Sequence, residues 1–266
     1  MPRGRVVLAM IKRDLLVTRS YRLAFVLDVV FGLLNLALFF FISRTFSSVH
    51  GANLHGAPTY FAFASVGIAI TIVVDAASTG LANRIRGEQL TGTLEALLIQ
   101  PVTVAEVSFG LAGFPFVFAM VRAFFYLVVA ALWFHLDLGQ TSWPGFVLTL
   151  LVSGVAFSAL GVLLGAVVLV VKRGDVLVGM VIFAMGLLSG ALFPVDVLPG
   201  WLEPIGKVMP TRFAFDGLRA SMFVGSGWWT DVGVLAAYSI LGIPAAIAVF
   251  GWALRVAQRQ GTLGQY

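Results

Sequence analysis

The chain has 266 residues, of which 60% are hydrophobic and 11% charged, with a mean hydropathy of +1.00. A soluble domain carries about 25% charged residues, so there are too few charges here to cover a water-facing surface, and a bilayer is the solvent that the composition fits. The absence of cysteine excludes disulfides, thiolate metal sites and cysteine nucleophiles, and the net charge of +5 is spread along loops rather than gathered for nucleic acid.

Six apolar segments, each long enough to cross about 30 Å of hydrocarbon as a helix, are predicted in chain order. They are Leu23 to Ile42, Thr59 to Gly80, Leu111 to Phe134, Gly145 to Val171, Val176 to Phe193 and Val232 to Leu254. The fifth is the shortest and could be partly re-entrant. The first apolar run is long and lacks a small-residue cleavage pattern, so no secretory signal peptide is expected.

Ahead of the first span, Val6 to Ser20 mixes Val6, Val7, Met10, Ile11 and Leu15 with Lys12, Arg13 and Arg19. This pattern predicts an amphipathic helix within residues 1–22 that lies on the membrane surface, cations towards lipid phosphates. With six spans, 12 of the 17 Lys and Arg residues fall on the side of the termini and four on the other. By the positive-inside rule both termini are then cytoplasmic.

The one sizeable connection on the opposite side, residues 194–230, is broken by Pro194, Pro199, Pro204 and Pro210. Phe213 to Phe223 reads as an amphipathic helix there, and Trp201, Trp228 and Trp229 suit a membrane interface. Short helices half-sunk in the outer leaflet are expected rather than a soluble domain.

On the cytoplasmic side, residues 84–101 contain a segment too short and too polar to span. Leu94, Leu97, Leu98 and Pro101 follow the i, i+3, i+4, i+7 spacing of one helical face. Thr91 or Gly92 can cap a helix whose first turn holds Glu95, where a negative charge suits the dipole, and Pro101 fits just past its end. About eight residues give roughly 12 Å, enough to lie across a surface. The leucines either dip into the leaflet or fill a groove on a soluble partner, with Glu88 and Glu95 at its rim.

The stretch Glu88, Gly92-Thr93-Leu94-Glu95, Leu97-Leu98 and Pro101 resembles the cytoplasmic coupling region of ABC-2 type exporter permeases. A second resemblance to that family lies in Phe193-Pro194, Leu198-Pro199, Trp201-Leu202, Pro210 and Leu218-Arg219. Together with the topology it extends over essentially the whole chain. The resemblance implies an all-α integral membrane protein and a single transmembrane domain, residues 1–266. It has six transmembrane helices, an N-terminal interfacial helix, a cytoplasmic coupling helix, and outer re-entrant or short helices between spans five and six. It implies a permease paired with a second copy or a paralogue, with two ABC ATPase subunits docked beneath and membrane lipids around it. ATP and magnesium are expected on the ATPase, with no cofactor and no catalytic residue in this chain. A P-loop needs G-x-x-x-x-G-K-[ST], and the nearest look-alike, Gly200 to Val208, has one residue too many between its glycines and ends in valine.

Asp28, Asn35, Asp75 and Arg122 fall inside spans, where a charge costs about 2.5 to 3.5 kcal/mol on insertion scales. Arg122 is expected to pair with Asp75 or Asp28, either to fix helix packing or to line the cytoplasmic end of a route. The aromatics of Phe114 to Phe134 could wall a cavity or simply pack. Gly161 with Gly165, and Gly186 with Gly190, make two G-x-x-x-G pairs that permit close helix contact. His50, His55 and His135 sit in outer loops with no metal-site pattern. The reading is the membrane subunit of an ATP-driven exporter in the cytoplasmic membrane, moving a small hydrophobic or amphiphilic compound outward. Polysaccharide or glycolipid export by the same architecture is the alternative. An ion-driven secondary transporter is the rival from another class; it would call for an internal repeat and broken helices at the midplane, neither of which is visible.

Overall fold

A computed structural model describes residues 12–13, 15–16, 22–45, 54, 56–90, 92, 104–171 and 174–260. The side chains of Asp28 and of residues 104–112 lie outside that description. Among the described residues there is no strand. The helices are α1 (Arg22–Thr45), α2 (Tyr60–Leu90), α3 (Val104–Phe134), α4 (Trp143–Val170), α5 (Gly174–Leu188), α6 (Glu203–Val208), α7 (Pro210–Arg219) and α8 (Trp228–Gln260). A 3₁₀ turn, Val195–Val197, precedes α6, and a π turn, Ala220–Val224, continues α7.

Four stretches are long and apolar enough to cross a membrane: Tyr60–Glu88, Gly113–Phe134, Trp143–Val170 and Trp228–Ala257. Two shorter apolar stretches, Val29–Thr45 and Val176–Leu188, fall where the first and fifth spans are expected. The expected fifth span is cut short: α5 stops at Leu188, and Gly190 turns the chain at φ +78°, a left-handed conformation that favours glycine.

At 31 residues α2 is about 46 Å long, more than the hydrocarbon thickness. It carries Arg84, Arg86 and Glu88 as helix, beyond Gly80, where the second span was expected to end. It ends at Leu90, and Gly92 follows at φ +70°.

α2 is the trunk. It lies between α3 and α4, and α8 packs along the far side of α4. Small residues make this possible. A side chain at Gly161 on α4 would strike the Ala77 backbone carbonyl of α2, and one at Gly165 would meet Leu81 and Ile85 at 3.4 and 3.1 Å. The first G-x-x-x-G pair is therefore a seam within the chain. The second is not: nothing approaches Gly186, and Gly190 serves the turn.

The connection between α5 and α8 also departs from expectation. Its amphipathic helix begins at Pro210 rather than Phe213, because proline suits the first helical position, and its last turn widens into the π turn. Trp201 and Trp229 are exposed, as an interfacial role requires. Trp228 is buried at 4%, its indole filling the space left by Gly145.

Candidate functional site

Most of the bundle is close-packed, but α1, α2, α3, α5 and the turn after α5 enclose a lateral groove of about 470 Å³. Its wall is aromatic and aliphatic, with Phe31 and Phe39 from α1, Tyr126 from α3, Phe183 and Leu187 from α5, and Phe193. Three polar side chains interrupt it: Asn35, Thr71 and Arg122.

These three sit at one depth. Asn35 is ten residues from the Thr45 end of α1, Thr71 eleven from the Tyr60 start of α2, and Arg122 twelve from the Phe134 end of α3. At 1.5 Å per residue that is about 15 to 18 Å below the same end of the bundle, near the middle of a bilayer. The groove is thus an apolar slot with a polar shelf at mid-depth, and Arg122 brings a cation there. Thr71 Oγ1 donates to the Gly67 carbonyl at 2.7 Å, which keeps its donor within α2.

Asp75 lies one turn further from that end on α2. It is exposed, borders a small pocket that shares Thr71 and Gly186 with the groove, and feels the charge of Arg122. The sequence-based association of Asp75 with Arg122 is thus electrostatic neighbourhood across the α2–α3 contact. The Asp28 side chain lies outside the described residues.

The expected aromatic wall from Phe114 to Phe134 contributes Tyr126 to the groove. Phe114 and Phe118 stack on each other at 5.8 Å, and Phe134 packs against Phe40 and Phe61 at 4.8 and 5.5 Å. Thr71 was missed from sequence, since a threonine in an apolar helix carries no signal of which face it occupies, whereas Tyr126 was among the aromatics expected to wall a cavity.

At the Leu90 end of α2, Arg13 donates to Glu88 Oε1 at 3.3 Å, joining the N-terminal segment to the end of α2. Lys12, Arg13, Leu15 and Leu16 are helical and exposed. Gly92 has open space around it. Thr93, Leu94, Glu95, Leu97, Leu98 and Pro101 lie outside the described residues.

At the opposite end, Pro194 is buried, Pro199 and Trp201 are exposed, and Pro210 opens α7. Arg219 is the surprise. Although charged, it is only 1% exposed. Its Nη2 donates to the carbonyls of Ala191 at 2.9 Å and Phe63 at 3.2 Å, its guanidinium lies 3.4 Å from the Phe63 ring centre, and Asp216 stands 3.8 Å away. Burial pulls its pKa down to about 9, with Asp216 opposing, so the group is charged at neutral pH.

A known family fits this architecture. The ABC-2 type transporter family matches residues 5–223. The chain is also similar to Nodulation protein J of Rhizobium meliloti (strain 1021), at 29% identity over 69% of this chain and 70% of that protein. With Nodulation protein J of Rhizobium leguminosarum bv. viciae the identity is 28%, over 62% of this chain and 63% of that protein.

Proposed function

This chain belongs to the ABC-2 type transporter family, and from that premise we propose that it is the permease of an ATP-driven exporter whose lateral groove takes an amphiphile from the membrane and passes it outward. Permeases of this family are membrane subunits that work with ABC ATPase subunits. The finer reading has two ATPases beneath a permease pair, formed by a second copy or a paralogue, in the cytoplasmic membrane. In this reading the six apolar segments are the spans, and the excess of Lys and Arg on the side of the termini makes that side cytoplasmic. ATP and magnesium belong to the ATPase, and residues 84–101 carry its strokes into α2. The continuity of α2 from the groove to Leu90 supports this, since a rigid helix transmits a push at one end to side chains along its length.

The observation that carries the proposal is the polar shelf. An apolar groove alone would be filled by lipid tails. A groove with Asn35, Thr71 and Arg122 at mid-depth instead offers hydrogen bonds and a positive charge where water is scarce. A compound with an acceptor-rich polar part and an apolar body matches this mixed lining better than a purely apolar one. The density of aromatic rings around the shelf favours a second reading, in which that polar part is a sugar and the cargo a glycolipid. An ion-gradient mechanism does not suit a family that works with ABC ATPases.

The test is ATP-dependent uptake of fluorescent amphiphiles into inverted vesicles holding permease and ATPase. Anionic, neutral and glycosylated head groups are compared, in wild type and in Arg122→Gln. Selective transport of an anionic or glycosylated probe, lost in the variant, is the expected result. Equal transport of every head group, unaltered by Arg122→Gln, would remove the shelf from the mechanism.

A further inference from the structure

On the reading that the groove is the outward route, we propose that Tyr60 and Arg219 form a latch on the groove's outer rim, and that its release is the exit step. The rim is the short segment Ala191, Leu192 and Phe193, all three of which line the groove. It follows directly on Gly190, whose left-handed backbone makes the turn after α5.

Two side chains from other elements hold consecutive carbonyls of this rim. The Tyr60 hydroxyl, at the start of α2, donates to Leu192 O at 3.0 Å. The Arg219 guanidinium, at the end of α7, donates to Ala191 O at 2.9 Å. Both converge on one residue: the Tyr60 ring stacks on Phe63 at 6.4 Å, and the Arg219 guanidinium lies 3.4 Å from the Phe63 ring centre while also bonding the Phe63 carbonyl. Gly67, one turn further along α2, has no side chain, and the Ala191 carbonyl occupies the place one would take. The rim therefore rests directly on α2.

The chemistry of these bonds distinguishes a latch from a fixed joint. Among the described residues, the partners found for the Ala191 and Leu192 carbonyls are side chains and not backbone amides. Side-chain bonds can swing away without unwinding a helix. Phe63 can accept the guanidinium in the open state as well, so the buried charge need not be stranded when the rim lifts. Because α2 bears Tyr60, the floor under the rim and the Phe63 ring and carbonyl that seat Arg219, movement of α2 breaks the Tyr60 bond directly and shifts the seat from which Arg219 reaches Ala191. Tyr60 and Arg219 are thus positioning residues for export.

The chain contains no cysteine, so single thiols report without background. Thr71→Cys places a reporter in the groove, and Ser153→Cys, fully buried on α4, reports unfolding. A membrane-impermeant maleimide is applied from the outer side of intact cells expressing the full chain with its ATPase. Tyr60→Phe, which removes one hydroxyl and nothing else, should raise Thr71→Cys labelling about five-fold, the weight of one hydrogen bond. Arg219→Lys, which keeps the charge but loses the fork, should raise it further, with Ser153→Cys silent in both. Unchanged Thr71→Cys labelling in Tyr60→Phe and Arg219→Lys alike would overturn the latch, as would labelling of Ser153→Cys rising in step. Failure of the parent reading looks different: labelling still rises, but Arg122→Gln leaves ATP-driven export unaltered.

Discussion

α2 and α1 are both apolar helices, yet the molecule treats them as opposites. The most apolar stretch of α2 is 72% buried within the protein. On α1, by contrast, Leu23, Leu27, Phe31, Leu34, Leu38 and Phe41 form an exposed ridge at helical spacing. The difference lies in the small residues of the trunk rather than in hydrophobicity. The buried faces of α2 set Ala62, Ala64, Ser65, Gly67, Ala69, Ala77, Ser78, Gly80 and Ala82 among the larger Phe61, Phe63, Val66, Ile70, Val73, Leu81 and Ile85, and the small ones let neighbouring backbones approach. Lipid tails are as apolar as leucine, so in a bilayer it is close packing and hydrogen bonding that hold helices together. Small residues therefore mark the close approaches of the trunk, and large buried ones pack between them.

The largest expected break in this contrast is at the α2–α4 seam. Gly161→Leu drives a side chain into the Ala77 carbonyl, which has nowhere to move. It should cost more than about 3 kcal/mol, seen as loss of monodisperse protein in detergent and a collapse of Tm. Survival of a folded, normally melting Gly161→Leu protein would mean that the seam is not where the chain is held.

Next comes the groove. Arg122→Gln keeps most of the side chain's length and some hydrogen-bonding capacity but removes the charge from the shelf. Export of the preferred amphiphile should fall about tenfold or more, in keeping with the weight of a charged hydrogen bond, about 1.5 to 3 kcal/mol, while Tm shifts little. A large fall in Tm with export per folded molecule intact would make Arg122 a packing residue like those of the trunk.

The smallest effects sharpen the comparison. Gly165→Ala, one turn from Gly161, meets only the ends of Leu81 and Ile85 side chains. These can yield, so stability should stay within about 0.5 kcal/mol. Leu34→Ala on the exposed ridge of α1 should likewise stay within about 0.5 kcal/mol by thermal melting. A loss above about 2 kcal/mol at Leu34 would instead show that a second polypeptide covers this ridge in the assembled transporter.

Much of this was readable in the sequence, because spans follow from length and hydropathy alone. All four long apolar stretches, and the two shorter ones, fall where the residues put them. The stop near Gly92 and the break from Pro194 onward were marked by glycine and proline, whose backbone chemistry is local, whereas the turn at 189–193 fell inside the expected fifth span. What could not be read was which apolar face meets which. The fourth-span glycines promised a close approach without naming α2 as the partner, and the fifth-span pair looked identical but served a turn. Trp228 had the chemistry of an interfacial anchor, and only Gly145 opposite it explains why it is buried. Arg219 was visible as the end of a motif, yet its role depends on two carbonyls 28 and 156 residues away. A cation set among Phe213, Phe215, Leu218, Met222 and Phe223 was the signal that it would be held inside.

The account rests on force reaching α2 from an ATPase through residues 84–101, and one measurement addresses that directly. The permease is co-purified with each candidate ABC ATPase of its source, as wild type and as the double variant Glu95→Arg with Leu97→Asp, and ATP hydrolysis is measured in nanodiscs. A stable wild-type complex that hydrolyses ATP, with binding and hydrolysis both lost in the double variant, is the predicted result. A complex that forms and turns over equally well with both substitutions present would contradict it.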